Sequence, residues 1–260
     1  MSEHPDNEMY FHGSGISLRF GGVAALSDVW FKVRRNSLHA IIGPNGAGKT
    51  SLFNVITGFY QMDEGEIRLE GSCISGLPPH LVAARGIVRT FQNLEIFTNM
   101  TVLENVLAGA HMRFGYGPLD FFLRTPRFLR EEREIGELAE ECLDFVGLSA
   151  RRDLPAGQLP FGSQRLLEIA RALAANPKAL LLDEPAAGLN IKETTKLGEL
   201  IRRIADRGIT VVMVEHDMDL VMRISDRIMV LNYGRVIADG APADIRKDPA
   251  VIAAYLGEEE

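Results

Sequence analysis

The sequence predicts an α/β fold with a mostly parallel core sheet and a separate helical lobe. Three observations carry this. Apolar, strand-sized runs alternate with helical patterns over most of the chain. A glycine-rich turn joins one such strand to a helix. The stretch from about 95 to 160 has no convincing core strand.

The elements follow in order. Alternating or β-branched runs mark strands at 16–20 (ISLRF), 29–33 (VWFKV), 38–42 (LHAII), 66–70 (EIRLE), 179–183 (ALLLD), 210–216 (TVVMVEH) and 227–231 (RIMVL). The last continues through NYG into RVIA, a hairpin whose turn needs Gly234. Helices fill the gaps at KTSLFNVIT, EIGELAEECLDFVGL, RLLEIARALAAN and KETTKLGELIRRIAD. In the second of these, Ile135, Leu138, Cys142 and Phe145 fall on one face. The predicted organisation is a core of 1–94 and 161–260, a helical lobe of 95–160, and a solvated tail, GEEE.

Composition narrows the function classes. Of 260 residues, 46% are hydrophobic and 24% charged, an ordinary globular mix. The net charge of −7 offers no basic field for nucleic acid, so no nucleic-acid partner is expected. The two cysteines, Cys73 and Cys142, have no metal-ligand spacing and are expected to be free thiols. No apolar run approaches the ~18 residues of a spanning helix, and the acidic N-terminus lacks a signal-peptide core. Any membrane link is expected to run through a partner.

The strongest local signal is GPNGAGKTS, Gly43 to Ser51, which satisfies G-x-x-x-x-G-K-[ST] between a strand and a helix. Backbone N–H groups of Gly43, Asn45, Gly46, Ala47 and Gly48 can curl around phosphates, and the helix N-terminus adds its positive end. Lys49 supplies a point charge to the β- and γ-phosphates and Thr50 a hydroxyl ligand for Mg²⁺, and Ser51 is expected among the nucleotide-binding residues. The strand 179–183 ends in two carboxylates. Alternation sends Asp183 and Glu184 different ways, Asp183 towards Mg²⁺ and Glu184 towards an attacking water. His216 ends the next strand, on the edge where α/β sheets bind ligands. Gln92, in RTFQN, is a neutral amide that can sense Mg²⁺ or water, or is a solvated loop residue. Phe20 ends the first strand and is either an adenine-stacking ring or a core aromatic.

In this order the motifs resemble the ATP-binding subunit of ABC transporters, over nearly the whole length. The resemblance implies a P-loop NTPase core with a mostly parallel sheet, an antiparallel β subdomain and a helical subdomain. It also implies ATP and Mg²⁺ as ligands. By this likeness Phe20 stacks on adenine, Gln92 is the Q-loop glutamine, and Thr50, Gln92 and Asp183 attend the metal. Glu184 is the catalytic carboxylate and His216 the switch histidine. Ala187, Gly188, Leu189 and Asn190 form the D-loop. The segment Leu159, Pro160, Phe161, Gly162, Ser163, Gln164 stands where the family usually has LSGGQQ, which caps ATP held by the opposite subunit. Gly162 is kept, while Ser163 departs from the pattern.

GIVRTFQN, TVLENVLAGAH, EPAAGLN, VEHDMDLVM and PAVIAAYLG further resemble the larger ATPase subunit of bacterial branched-chain amino acid importers. That likeness implies a second ATPase subunit, identical or sister, two membrane permeases and, indirectly, a periplasmic binding protein. It places the chain on the cytoplasmic face of the plasma membrane. Segment 113–133, with Arg113, Arg124, Arg127, Arg130 and Arg133 among Phe121, Phe122 and Phe128, faces permease or anionic lipid, or is plain charged surface. The competing readings are the ATPase of a urea/amide importer or a lipopolysaccharide exporter, a soluble P-loop ATPase or kinase, and a poorly hydrolysing regulatory subunit.

Overall fold

The computed structural model describes residues 10–111 and 118–256. Arg113, the tail 257–260 and the side chain of Phe121 lie outside what is described. The chain divides into two compact units, residues 1–89 with 178–260, and residues 90–177.

The first unit holds two sheets. Strands β1 (Phe11–Phe20), β2 (Val23–Val33), β4 (Glu64–Leu69) and β5 (Ser72–Cys73) form an antiparallel sheet in the order β2-β1-β4-β5. Strands β3 (Leu38–Ile42), β6 (Ile87–Thr90), β7 (Ala179–Asp183), β8 (Thr210–Val214), β9 (Arg227–Asn232) and β10 (Arg235–Gly240) form a second, in the order β10-β9-β3-β8-β7-β6. Here β9, β3, β8 and β7 pair in parallel, and β10 closes one edge as the antiparallel arm of the predicted hairpin. The runs at β3, β7 and β8 are buried at every position, as expected of strands covered on both faces. Helix α1 (Lys49–Ile56) buries Leu52 and Phe53 in a core shared by both sheets, with Phe11, Ile16, Val212 and Met229. Helices α2 (Pro79–Ala84), α7 (Ile191–Asp206), α8 (Met218–Ile224), α9 (Pro242–Ile245) and α10 (Pro249–Leu256) complete this unit.

The second unit is helical. It contains α3 (Val102–Ala110), α4 (Pro118–Leu123), α5 (Pro126–Val146) and α6 (Phe161–Ala174), with short 3-10 turns at Ser149–Arg151 and Ala156–Gln158. Helix α6 packs on α3 and α5. The helical unit therefore extends to Pro177, past the 95–160 predicted for the lobe. In α5 the buried positions are Ile135, Ala139, Cys142, Leu143, Phe145 and Val146, whereas Leu138 is only half-buried.

Candidate functional site: a phosphate cleft at the sheet edge

The centre of the site is the turn between β3 and α1. Gly43 passes so close to β9 that a Cβ there would sit 2.0 Å from the Leu231 carbonyl oxygen. Gly48 has φ +102°, a left-handed conformation that side chains avoid, and it starts α1 with no side-chain cap. The first N–H groups of α1 thus keep their capacity for an anion, reinforced by the positive helix end. Lys49 is buried, and its Nζ donates to the carbonyls of Gly43 at 2.5 Å and Pro44 at 2.8 Å. Those bonds lock the loop around its own lysine.

A cleft of about 310 Å³ opens over this turn, lined by Val23 to Ala25, Asn45 to Ser51, Glu184 and His216. Every expected phosphate-loop residue from Asn45 to Ser51 is at its wall. Glu184 and His216 face each other there, Nε2 of His216 lying 2.7 Å from Oε1 of Glu184. The Glu184 side chain is 17% exposed and His216 45%. Glu184 has φ +49° in a non-glycine residue, the kind of local strain that a fold retains at functional sites.

Glu184 and His216 arrive on two loops that leave parallel strands side by side. Glu184 N donates to the Val214 carbonyl at 2.9 Å, the last backbone rung between β7 and β8. Beyond it the Glu215 carboxylate accepts from Ala186 N at 2.7 Å and His216 N at 3.0 Å, and also from the Asp217 backbone. Burial pushes the Glu215 carboxyl above the usual range, and these N–H donors pull the other way.

Asp183 is buried and meets Arg89 of β6, Nη2 to Oδ2 at 2.6 Å, while Arg89 Nη1 donates to Asn54 Oδ1 at 2.7 Å. The carboxylate expected to attend Mg²⁺ is thus already held by a buried guanidinium. Thr50 is exposed and stands at the cleft wall. Hydroxyl, carboxylate and amide oxygens are the hard ligands that Mg²⁺ takes. Among the described residues no group of three His, Cys, Asp or Glu side chains is placed to hold a metal. A Mg²⁺ ion here would draw its remaining ligands from phosphate and water.

Phe20 is 49% exposed and packs edge-on against Tyr60 with centroids 5.2 Å apart, so it is not a core aromatic. It pairs with Val23, a lining residue of the cleft. In the loop after β7, Ala187 N donates to Glu184 O and Leu189 N to Ala186 O. Gly188 has φ +78°, and the Asn190 side chain caps α7.

In the helical unit, Pro160 is the N-cap of α6, and Phe161, Gly162 and Ser163 form its first turn. The segment thus lies at the mouth of a helix that runs on through RLLEIARALA. Phe161 is 45% exposed; Ser163 Oγ accepts from Arg151 Nη1 at 3.0 Å, and Gln164 Nε2 donates to Leu159 O at 3.0 Å. Gln92 belongs to this unit too, and Arg165 of α6 donates to the carbonyls of Phe91 at 3.1 Å and Gln92 at 2.5 Å. The sequence reading did not single out Arg89, Arg165 or Glu215. Arg89 was detectable as a lone cation inside the apolar run GIVRT, and Glu215 as a charge ending a buried one.

A glycine-rich loop cradling a helix N-terminus, with a carboxylate–histidine pair at the parallel strand ends, is the site of a P-loop nucleoside triphosphatase. The model of the ABC transporter family matches residues 26–187, and that of the branched-chain amino acid ATP-binding cassette transporter matches residues 235–260. The chain belongs to the ABC transporter family, as an ATP-binding, ATP-hydrolysing protein. It is 50% identical over 246 residues to the high-affinity branched-chain amino acid transport ATP-binding protein BraF of Pseudomonas aeruginosa, covering 94% of this chain and 96% of that one. The corresponding protein LivG of Escherichia coli K12 is 45% identical with the same coverage. Among solved structures, the ADP conformation of the cassette MJ1267 superposes with a TM-score of 0.83 at 36% identity, covering 95% of this chain and 98% of that one. A dimeric post-hydrolysis cassette, MJ0796 bound to ADP and Pi, gives 0.74 at 26% identity, covering 89% and 98%. No helix among the described residues is long and apolar enough to cross a membrane.

Proposed function

We propose that this chain is the ATP-hydrolysing subunit of a branched-chain amino acid importer. The observation that carries the mechanism is the Glu184–His216 pair at the lip of the phosphate cleft. The loop Gly43 to Ser51 and Lys49 bind the triphosphate, and Phe20 stacks on the base. Glu184 takes a proton from water as the water oxygen bonds to the γ-phosphorus and the bond to the β–γ bridging oxygen breaks, releasing ADP. His216 holds Glu184 in place and faces the γ-phosphate. Thr50 would offer Mg²⁺ its hydroxyl and Asp183 its carboxylate, the latter directly or through water, and the ion would offset phosphate charge.

Gly162 and its neighbours Pro160 to Gln164 cap ATP bound to a second subunit, whose D-loop is the counterpart of 187–190 here. The first turn of α6 supports this, since it has no side-chain cap and keeps N–H capacity for an anion. The strong likeness to BraF and LivG supports the substrate class, two permease partners, a periplasmic binding protein and a place on the cytoplasmic membrane face.

The test is the solution mass of purified Glu184→Gln protein with ATP and no Mg²⁺. A shift from monomer to dimer on ATP addition is expected, and Gly162→Trp in the same background abolishes it. ATP binding without any change of mass would refute a competent homodimer. A mass shift that survives Gly162→Trp would remove the segment 160–164 from the capping role.

A further inference from the structure

We infer that Glu215 is a positioning residue that sets the Glu184–His216 pair, a role that rests on the reading of those two residues given above. The two loops that carry them lose their backbone ladder after the bond from Glu184 N to Val214 O. From there on Glu184 takes a left-handed conformation and His216 lies two residues past the end of β8. Besides the Glu184–His216 contact, the Glu215 side chain ties the two loops at their backbone. The Glu215 carboxylate takes Ala186 N of the first loop on Oε1 and His216 N of the second on Oε2. It therefore stands in for the next rung of the sheet, with a side chain in place of a carbonyl.

Three features separate this from a chance buried acid. Glu215 is 4% exposed, and burying a carboxylate is costly unless donors surround it. Its partners are backbone N–H groups of both loops, two residues from Glu184 on one side and His216 itself on the other. An ionised carboxylate is acceptor-only, so it can receive donors from both sides at once. Glutamine has the same shape but turns an NH₂ towards one of those donors. Glu215→Gln therefore disconnects one loop while filling the same space.

The consequence lies in turnover and leaves affinity alone. Lys49 and the α1 N-terminus bind phosphate without help from Glu215, so the KM for ATP stays within about twofold. The Glu184–His216 spacing loosens, and misplacement by about 1 Å can cost about 10² in rate. A fall in kcat of about tenfold or more is expected.

The experiment is a double-mutant cycle in the full-length chain, with steady-state ATPase for wild type, Glu215→Gln, His216→Ala and the double variant. The isotropic ¹⁵N shift of the His216 ring is recorded in parallel, with Glu184→Ala as the reference for an unpartnered imidazole. Thermal melts verify folding, and Glu215→Asp, whose carboxylate is drawn back from Ala186 by one methylene, is the second probe. The expected result is a kcat loss for Glu215→Gln and Glu215→Asp that vanishes in the His216→Ala background. The ring shift should move towards the Glu184→Ala value. Equal losses in both backgrounds overturn the inference, as does a lowered melting temperature with wild-type kcat. If His216→Ala and Glu184→Gln themselves turn over at the wild-type rate, the reading of the catalytic pair fails first, and the inference with it.

Discussion

Lys49 illustrates how one residue serves loop and ligand. Its ammonium is buried against the carbonyls of Gly43 and Pro44, so the loop is preformed before any phosphate arrives. Lys49→Ala removes a charge-assisted contact worth about 1.5–3 kcal/mol, so ATP affinity should fall about 10- to 150-fold. Equilibrium titration with a fluorescent ATP analogue measures this, and unchanged affinity would contradict the phosphate-loop assignment. Arg89 raises the opposite issue, since removing it strands a charge. Its ion pair with Asp183 is closed to solvent, at 5% and 4% side-chain exposure. Arg89→Ala leaves the Asp183 carboxylate buried without its counter-charge and should cost about 3–5 kcal/mol in urea unfolding. A loss below about 1 kcal/mol would show that water reaches Asp183 and solvates it. The phosphate loop was legible because its glycines, lysine and flanking elements are local in sequence. Arg89 was not, because what makes it matter is a partner on another strand of the sheet, 94 residues away.

At the scale of elements, legibility followed burial pattern. The fully buried strands β3 and β7 were read to the residue, and β8 to within the two residues after Val214, since an unbroken apolar run has few alternatives. Strand β1 was read only from residue 16, because its first half, FHGSG, carries two glycines and little apolar pattern. Packing decides it instead: Phe11 lies edge-on to Phe31 at 5.0 Å, and Gly13 leaves room for the Phe31 ring. Helix α6 starts just after Pro160, which caps it without a polar side chain, so the usual Ser, Thr, Asp or Asn signal is absent. Asn190 shows the reverse. The family likeness places it in the D-loop, while the structure gives its side chain the N-cap of α7, accepting from Lys192 N and Glu193 N in a reciprocal capping box. Asn190→Ala should therefore destabilise the fold by about 1 kcal/mol, and Asn190→Ser by no more than about 0.5 kcal/mol. Chemical denaturation of both variants checks this. Equal losses would mean that the cap contributes nothing beyond helix propensity.

For the molecule as a whole, the larger sheet carries a charge problem that sequence patterning hides. His39 lies on β3, inside the run LHAII, at 2% exposure. Burial drives its pKa down to about 4, and Arg227 adds to that, against the opposing pull of Asp239 and Asp226. Its Nε2 stands 3.9 Å from Asp239 Oδ1, too far for a hydrogen bond, and Asp239 is taken by Arg227 Nε at 2.8 Å. His39 is thus neutral in the folded chain and ordinary, near 6.5, in the unfolded one. Between these values the unfolded state binds the extra proton, so stability is complete above about pH 6.5 and falls as the pH drops towards 4. Between pH 7 and pH 5 this one residue should cost about 2 kcal/mol. Urea unfolding of wild type and His39→Leu at both pH values isolates the effect, since the carboxylates common to both proteins cancel in the difference. The wild type should lose about 2 kcal/mol more than the variant on acidification. Equal losses would mean that His39 is protonated inside the sheet, with Asp239 released from Arg227 to neutralise it.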